Sequence, residues 1–391
     1  MIDNRNRGFS EENTTSETVS LRYRGLTGLP ESLRQFTSLR VLDVTGNQLT
    51  ELPDWLCELT HLTKLYLDEN RLTALPNWLS NLDELEELHI DRNQLTTLPT
   101  SLPQLTQLET LRLYSNQCTS FPESIGQLTR LKDISVGNNR LISLPEALWQ
   151  LVNLQSLNLS ENQLTYLPEQ VGNLTSLRML DIGHNALTTL PESLSNLTQL
   201  AILYASNNRL TSLPTSLFEQ LSQLTYLNLT DNRLTELPES IGNLTRLKEL
   251  RLYNNQLTAL PDSFGNLTSL KELHLMNNEL ASLPETLENM QHLKEVRLSN
   301  NRLASLPESI EALSQLTILD LRNNRLTALP ESLGRLNHLT HLDLRANRFV
   351  TLPASLAELP RLEKLDVRWN KLTSIPAWFQ QLEQRGCTVL T

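Results

Sequence analysis

A chain of 391 residues with a formal net charge of −11 is ill suited to bind nucleic acid non-specifically or to lie on an anionic membrane surface. Only 12 glycines and 5% aromatics leave aliphatic side chains to build the core, and three cysteines (Cys57, Cys118, Cys387) make no disulfide framework. No apolar run approaches the roughly 20 residues of a membrane span. The opening Met1-Ile2-Asp3-Asn4-Arg5-Asn6-Arg7 lacks the apolar region of a secretory signal. A cytoplasmic location is expected, with delivery into a host cell as the alternative.

Residues 1–15 are polar and read as an N-terminal tail. From residue 16 onward the chain repeats itself. Val19, Leu21, Leu26, Leu29 and Pro30 form a degenerate first copy, with Arg24 where later copies have asparagine. Fifteen asparagines then follow from Asn47 to Asn370 at a 23-residue step, broken once by a step of 24 between Asn208 and Asn232. A fixed period of this size indicates a solenoid.

Within each copy, apolar residues alternate with polar ones ahead of the asparagine, as at Leu250 and Leu252, which predicts a short half-buried strand. The asparagine follows at a turn, where its amide offers both donors and an acceptor to backbone groups of its own and the adjacent copy. The return segment, as in Leu237-Pro238-Glu239-Ser240-Ile241, predicts a short helical turn with proline at its first position and glutamate at its positive end. An extra residue falls within 215–220. Near the end, Ala377 to Arg385 predicts an amphipathic capping helix, Gly386 its terminator, and Cys387-Thr388-Val389-Leu390 an edge strand. The expected organisation is a tail over 1–15, a solenoid over 16–375 and a C-terminal cap over 376–391.

The repeat Leu-x-x-Leu-x-Leu-x-x-Asn-x-Leu-x-x-Leu-Pro, clear in Leu62 to Pro76, resembles the 23-residue cytoplasmic class of leucine-rich repeats. That class includes plant Ras-group proteins, animal Ras-suppressor and scaffold proteins, and many bacterial proteins. The resemblance implies an α/β solenoid, a leucine-rich repeat horseshoe with about 16 parallel strands on its concave face and short helical turns outside. It does not fix a function.

Catalytic chemistry is not evident. The chain holds no glycine-rich phosphate loop, and its histidines fall one to a repeat except for His338 and His341, which lack a third metal ligand. Cys57 lies on a return segment and Cys118 replaces a core leucine, so both read as small hydrophobes. A non-enzymatic chain is expected, without cofactor or metal.

Large side chains at the polar strand positions are the informative exception, since they point into the concavity. Tyr66, His89, Arg112 and Tyr114 form one group, and Met179, Ile202, Tyr204 and Tyr226, continued by Tyr253 and Met276, form another. Tyrosine and arginine are enriched at interface hot spots. They also stabilise a sheet as cross-strand pairs. Toward the C-terminus Asp320, Asp343 and Asp366 form one column and Arg322, Arg345 and Arg368 the next. They read either as a self-compensating ladder or, with Arg325, Arg348 and Lys371, as a basic rim for an acidic partner. The expected function is a monomeric scaffold binding a protein partner in its concave face. The alternatives are a bacterial effector acting on a host target and a Ras-pathway-like regulator recruiting a GTPase or phosphatase.

Overall fold

The computed structural model describes residues 16–391, so the tail expected over 1–15 lies outside the described residues. The chain forms two compact units that meet in sequence at Ala186 and Leu187. In the first unit the strands are β1 (Thr18–Ser20), β2 (Val41–Asp43), β3 (Lys64–Tyr66), β4 (Glu87–His89), β5 (Thr110–Arg112), β6 (Asp133–Ser135), β7 (Ser156–Asn158) and β8 (Met179–Asp181). The second unit holds β9 (Ile202–Tyr204), β10 (Tyr226–Asn228), β11 (Glu249–Arg251), β12 (Glu272–His274), β13 (Glu295–Arg297), β14 (Ile318–Asp320), β15 (His341–Asp343), β16 (Lys364–Asp366) and β17 (Thr388–Leu390). Within each unit every strand pairs in parallel with its sequence neighbour. The register advances by one repeat, so that Val41 faces Lys64. Sixteen repeat strands and one terminal strand agree with the periodicity.

Each strand is three residues long, with its middle residue buried and its ends half-buried in most copies, as the period-2 pattern requires. The copy around β3 shows the core: Leu62, Leu65, Leu67, Leu72, Leu79 and Leu82 are all 0% exposed. Cys118 and Ala205 sit at 1% and 0% in leucine slots, so both departures from the consensus remain core residues. Burial pushes the Cys118 thiol up to about 11, which keeps it protonated and inert.

The recurrent asparagines tie the copies together. Asn255 is 7% exposed, and its Nδ2 donates to the carbonyls of Leu252 at 3.1 Å and Tyr253 at 3.4 Å in its own turn. The same amide reaches back to the Leu229 carbonyl at 3.0 Å, and its Oδ1 accepts from Leu234 N at 3.0 Å. Four backbone groups, two of them in the preceding copy, therefore depend on one side chain. Aspartate lacks the donors and leucine lacks every partner. The residue before each ladder asparagine is left-handed, for example Asn254 at φ +56° and Trp369 at +60°. Glycine and asparagine reach that region at little cost, whereas a large side chain does so only under constraint.

The return segments are 3-10 turns, such as Glu239–Asn243. Their proline stands one residue earlier than expected: Pro238 is extended (φ −70°, ψ 151°) and its carbonyl accepts Ile241 N at 3.0 Å. A tight i→i+3 turn needs that carbonyl and no N–H from proline. Neighbouring turns approach closely where glycine occurs. A Cβ at Gly265 would lie 2.2 Å from the Thr286 carbonyl, so only glycine fits. The extra residue in 215–220 replaces this turn by an irregular one, while Tyr226 still pairs with Ile202, 24 residues back. Insertion on the return side leaves strand register untouched.

At the C-terminal end, helix α1 (Phe379–Gln384) is shorter than the Ala377–Arg385 span expected, and it buries Phe379 and Leu382. Gly386 takes φ +88° and ends it, and Cys387 N bonds the Leu382 carbonyl at 3.0 Å. Strand β17 then pairs with β16.

Replacing Asn255 by leucine should lower stability by about 3 kcal/mol or more, because each buried backbone group left unpaired costs ~1–3 kcal/mol. Thermal or urea unfolding beside an exposed Gln256→Leu control checks it. Equal losses in the two variants would refute the ladder's role.

Candidate recognition surface on the strand face

Because alternate strand residues point away from the core, the ends of each strand and the residue two beyond it form a surface. In the first unit β3 to β5 bring together the first expected group. The Tyr66 and His89 rings lie 4.7 Å apart, tilted by 58°. Tyr66 Oη donates to Glu87 Oε2 at 2.7 Å, and Lys64 Nζ holds the other oxygen of Glu87, also at 2.7 Å. Arg112 Nε lies 3.4 Å from Asp91 Oδ2, and Tyr114 reaches across two copies to Glu161 Oε1 at 2.8 Å. All four side chains are half-buried rather than freely exposed. A shallow depression of about 450 Å³ lies there, lined among others by Asp68, Asp91, Arg92, Arg112 and Tyr114.

Two carboxylates floor that depression. Asp68 Oδ1 accepts from Asp91 N at 2.7 Å, and Asp91 Oδ1 accepts from Tyr114 N at 2.7 Å. Burial pushes the Asp68 carboxyl up to about 6; the Asp91 N–H opposes this and the Asp91 charge adds to it. Burial also lowers the His89 imidazole, and the Arg112 charge lowers it further.

In the second unit the central expected group assembles on β9 and β10. Tyr204 and Tyr226 have ring centroids 4.9 Å apart, and the Arg251 guanidinium lies 5.8 Å from the Tyr226 centroid. Burial pushes the Tyr226 phenol up to about 12. Ile202 starts β9, while Tyr253 and Met276 follow β11 and β12 by two residues; all three are half-buried. Met179 starts β8 of the first unit and is likewise half-buried.

The acidic and basic columns are closely paired. Arg345 Nη2 lies 2.5 Å from Asp343 Oδ2 and its Nε 3.3 Å from Asp366 Oδ2, while Arg368 Nη2 lies 2.6 Å from Asp366. Arg322 is looser, at 3.6 Å from Asp320. Burial alone would raise Asp366, but the Arg368 hydrogen bonds and the Arg345 charge hold its carboxyl below the usual range. Burial raises Asp320, and its looser arginine offsets less.

Three features escaped the sequence reading. Trp369, 71% exposed, stands over this arginine pair, with Arg368 at 5.4 Å and Arg345 at 5.9 Å from its ring. It occupies the left-handed slot, which had not been counted as part of the face. The same slot carries an amide row in which Asn254 donates to Asp231 at 2.6 Å, Asn277 to Asn254 at 2.5 Å, Asn300 to Asn277 at 2.5 Å and Asn323 to Asn300 at 2.6 Å. Its signal was the Asn-Asn doublet in successive copies. Glu249, Glu272 and His274 also converge, with one ligand atom from each within 4.8 Å of the others.

A leucine-rich repeat region model matches residues 16–96, 142–225, 216–300 and 285–384, and a leucine rich repeat model matches 106–164. The chain is a leucine-rich repeat protein. It is similar to a Leptospira interrogans leucine-rich repeat protein, at 36% identity over 97% of both chains with a TM-score of 0.90. An internalin from Listeria monocytogenes shows 27% identity over 78% of this chain and 87% of its own, with a TM-score of 0.69. A chain of the Drosophila Toll–Spatzle complex shows 26% identity over 93% of this chain and 52% of its own, with a TM-score of 0.81. No match is found among curated proteins. No enzyme family is indicated by these matches. Among the described residues, no helix of this leucine-rich repeat chain is long and apolar enough to cross a membrane.

The raised Asp68 carboxyl makes a signed prediction. Folded chain holds this proton more tightly than unfolded chain, so the group disfavours folding above pH ~6 and ceases to do so below pH ~4. Asp68→Asn keeps an oxygen for the Asp91 N–H and removes the charge. It should raise stability at pH ~7 by up to about 3 kcal/mol, with no gain at pH ~4. Urea unfolding at both pH values checks this, and a gain independent of pH would contradict it.

Proposed function

We propose that this leucine-rich repeat chain is a non-enzymatic scaffold that holds a protein partner on its concave strand face. The observation carrying the reading is the Tyr204–Tyr226 pair on adjacent strands, extended by Arg251 over the second ring. Tyrosine and arginine present large, stiff, amphipathic surface, which is why they dominate interface hot spots. Ile202, Tyr253 and Met276 widen the apolar area within the second unit, and Met179 offers a separate apolar side chain on the strand face of the first. Tyr66, His89, Arg112 and Tyr114 would form a second contact area, and Arg322, Arg345 and Arg368 a third toward an acidic partner. Close pairing with aspartates makes Arg345 and Arg368 chiefly neutralising groups, so Arg322 is the freest of the three. Protein recognition also fits the similarity to a chain of the Toll–Spatzle complex.

A second reading concerns the setting in which binding occurs. The likeness to a Leptospira protein over nearly the whole of both chains favours a bacterial source. A bacterial chain of this kind acts either on a partner in its own cytoplasm or on a host target after delivery. A secretion assay separates the two.

Tyr204→Ala combined with Tyr226→Ala should abolish capture of the main partner while leaving the circular dichroism spectrum and unfolding cooperativity intact. Each hot-spot truncation costs about 2 kcal/mol or more, so the pair together should weaken binding by about a thousandfold. Affinity capture with the wild-type chain identifies the partner, and calorimetry with purified components measures the loss. Native affinity in the double variant would move the site off this part of the face.

A further inference from the structure

The half-exposed face of β11 to β13 breaks its own charge pattern at one point. In-register pairing sets Glu249 beside Glu272 and Glu272 beside Glu295, three like charges on successive strands. Such a row is unfavourable unless each charge is answered. On β11 Arg251 answers Glu249, with Nε 2.5 Å from Oε1, and on β13 Arg297 answers Glu295 in the same way. On β12 the corresponding residue is His274. The middle carboxylate therefore lacks the guanidinium that both neighbours have.

His274 is itself incompletely satisfied. Its side chain is 12% exposed, and its Nε2 is sealed from solvent with no hydrogen-bond partner among the described residues. The nearest carboxylate oxygen, Glu272 Oε2, stands 3.5 Å away, too far for a good N–H···O bond. A buried nitrogen without a partner calls for an explanation, and an unseen ion is one of the standard ones. Glu272 has 46% of its side chain exposed, so that it turns freely.

We propose that Glu249, Glu272 and His274 bind a divalent transition-metal ion of the zinc class. One imidazole nitrogen and two carboxylate oxygens are a borderline donor set that suits zinc better than magnesium or calcium, which prefer all-oxygen shells. Metal–ligand bonds of ~2.0–2.2 Å in a tetrahedron require ligand atoms about 3.4 Å apart. The Nε2–Glu272 separation of 3.5 Å already meets that edge. Glu249 lies within 4.8 Å and closes the remainder by a side-chain rotation, and its carboxylate has a second oxygen with which to stay beside Arg251. The two arginines compensate two of the three glutamates, leaving one net negative charge on this group to receive the cation. The fourth position is left to water, which reaches the group past the half-exposed Glu272.

Chelator-treated full-length chain should be titrated with Zn²⁺ by calorimetry, and loaded with Co²⁺ to read its visible absorption. Three variants accompany the wild type: His274→Gln, Glu272→Gln and the control His341→Ala. Losing a direct ligand should weaken Zn²⁺ binding by more than the roughly 10–100-fold that outer-shell partners carry, and should abolish the Co²⁺ spectrum. The control should bind like wild type. Glu272→Gln keeps the size of a half-exposed side chain, so its unfolding curve in the absence of metal should match wild type. Absence of saturable binding up to ~1 mM Zn²⁺ would overturn the site. So would stoichiometry and affinity unchanged in both ligand variants.

Discussion

The side-chain amide of one asparagine per copy is the interaction on which the rest of the architecture depends. A strand of three residues closes too few backbone bonds to stand alone, and the turn after it leaves carbonyls facing inward. The amide of Asn255 satisfies two carbonyls of its own turn and two backbone groups of the copy before it. Each copy is thus completed by the next. Leucines on the inner side of that frame then bury fully, as Leu250, Leu252 and Leu257 do at 0% exposure.

Once the backbone is held from inside, the outward strand positions carry less of the frame, although carboxylates such as Asp68 and Asp343 still accept backbone N–H groups there. They vary along the chain more than the leucine slots do. Aromatic pairs occur at Tyr66–His89 and Tyr204–Tyr226, and charge columns at Asp343, Asp366 and their arginines. A rigid frame that presents interchangeable side chains at a fixed spacing recognises a partner without paying to order itself. The tyrosines show the compromise involved. They are half-buried against their neighbours, which reduces the area offered but also the rotamer entropy lost on binding.

Most of the frame was legible because it is written in a strict period. The step of 23 placed the sixteen repeat strands, and the single step of 24 falls on the return side, as the sequence indicates. Proline misled by one residue, because a 3-10 turn begins on the proline carbonyl and not on the proline itself. The face was legible only in part. Residues such as Tyr204 and Tyr226 could be put on one side by counting, but their ring contact could not. Trp369 and the Asn254–Asn277–Asn300 row went unseen because the left-handed slot before the ladder asparagine was read as turn, although it projects beside the strands. The Glu249, Glu272 and His274 convergence was missed for a different reason. Glu249 stands 23 and 25 residues before Glu272 and His274, and only the in-register pairing of β11 with β12 brings it beside them.

Native-state hydrogen exchange tests this division between frame and face most directly. The Leu234 amide is bonded to Asn255 Oδ1, whereas Tyr226 contributes only a surface ring to the same neighbourhood. Exchange at Leu234 should accelerate strongly in Asn255→Leu, with the loss of protection extending into the preceding copy, and should stay at the wild-type rate in Tyr226→Ala. Equal protection of Leu234 in wild type and Asn255→Leu, or its loss in Tyr226→Ala, would contradict the account.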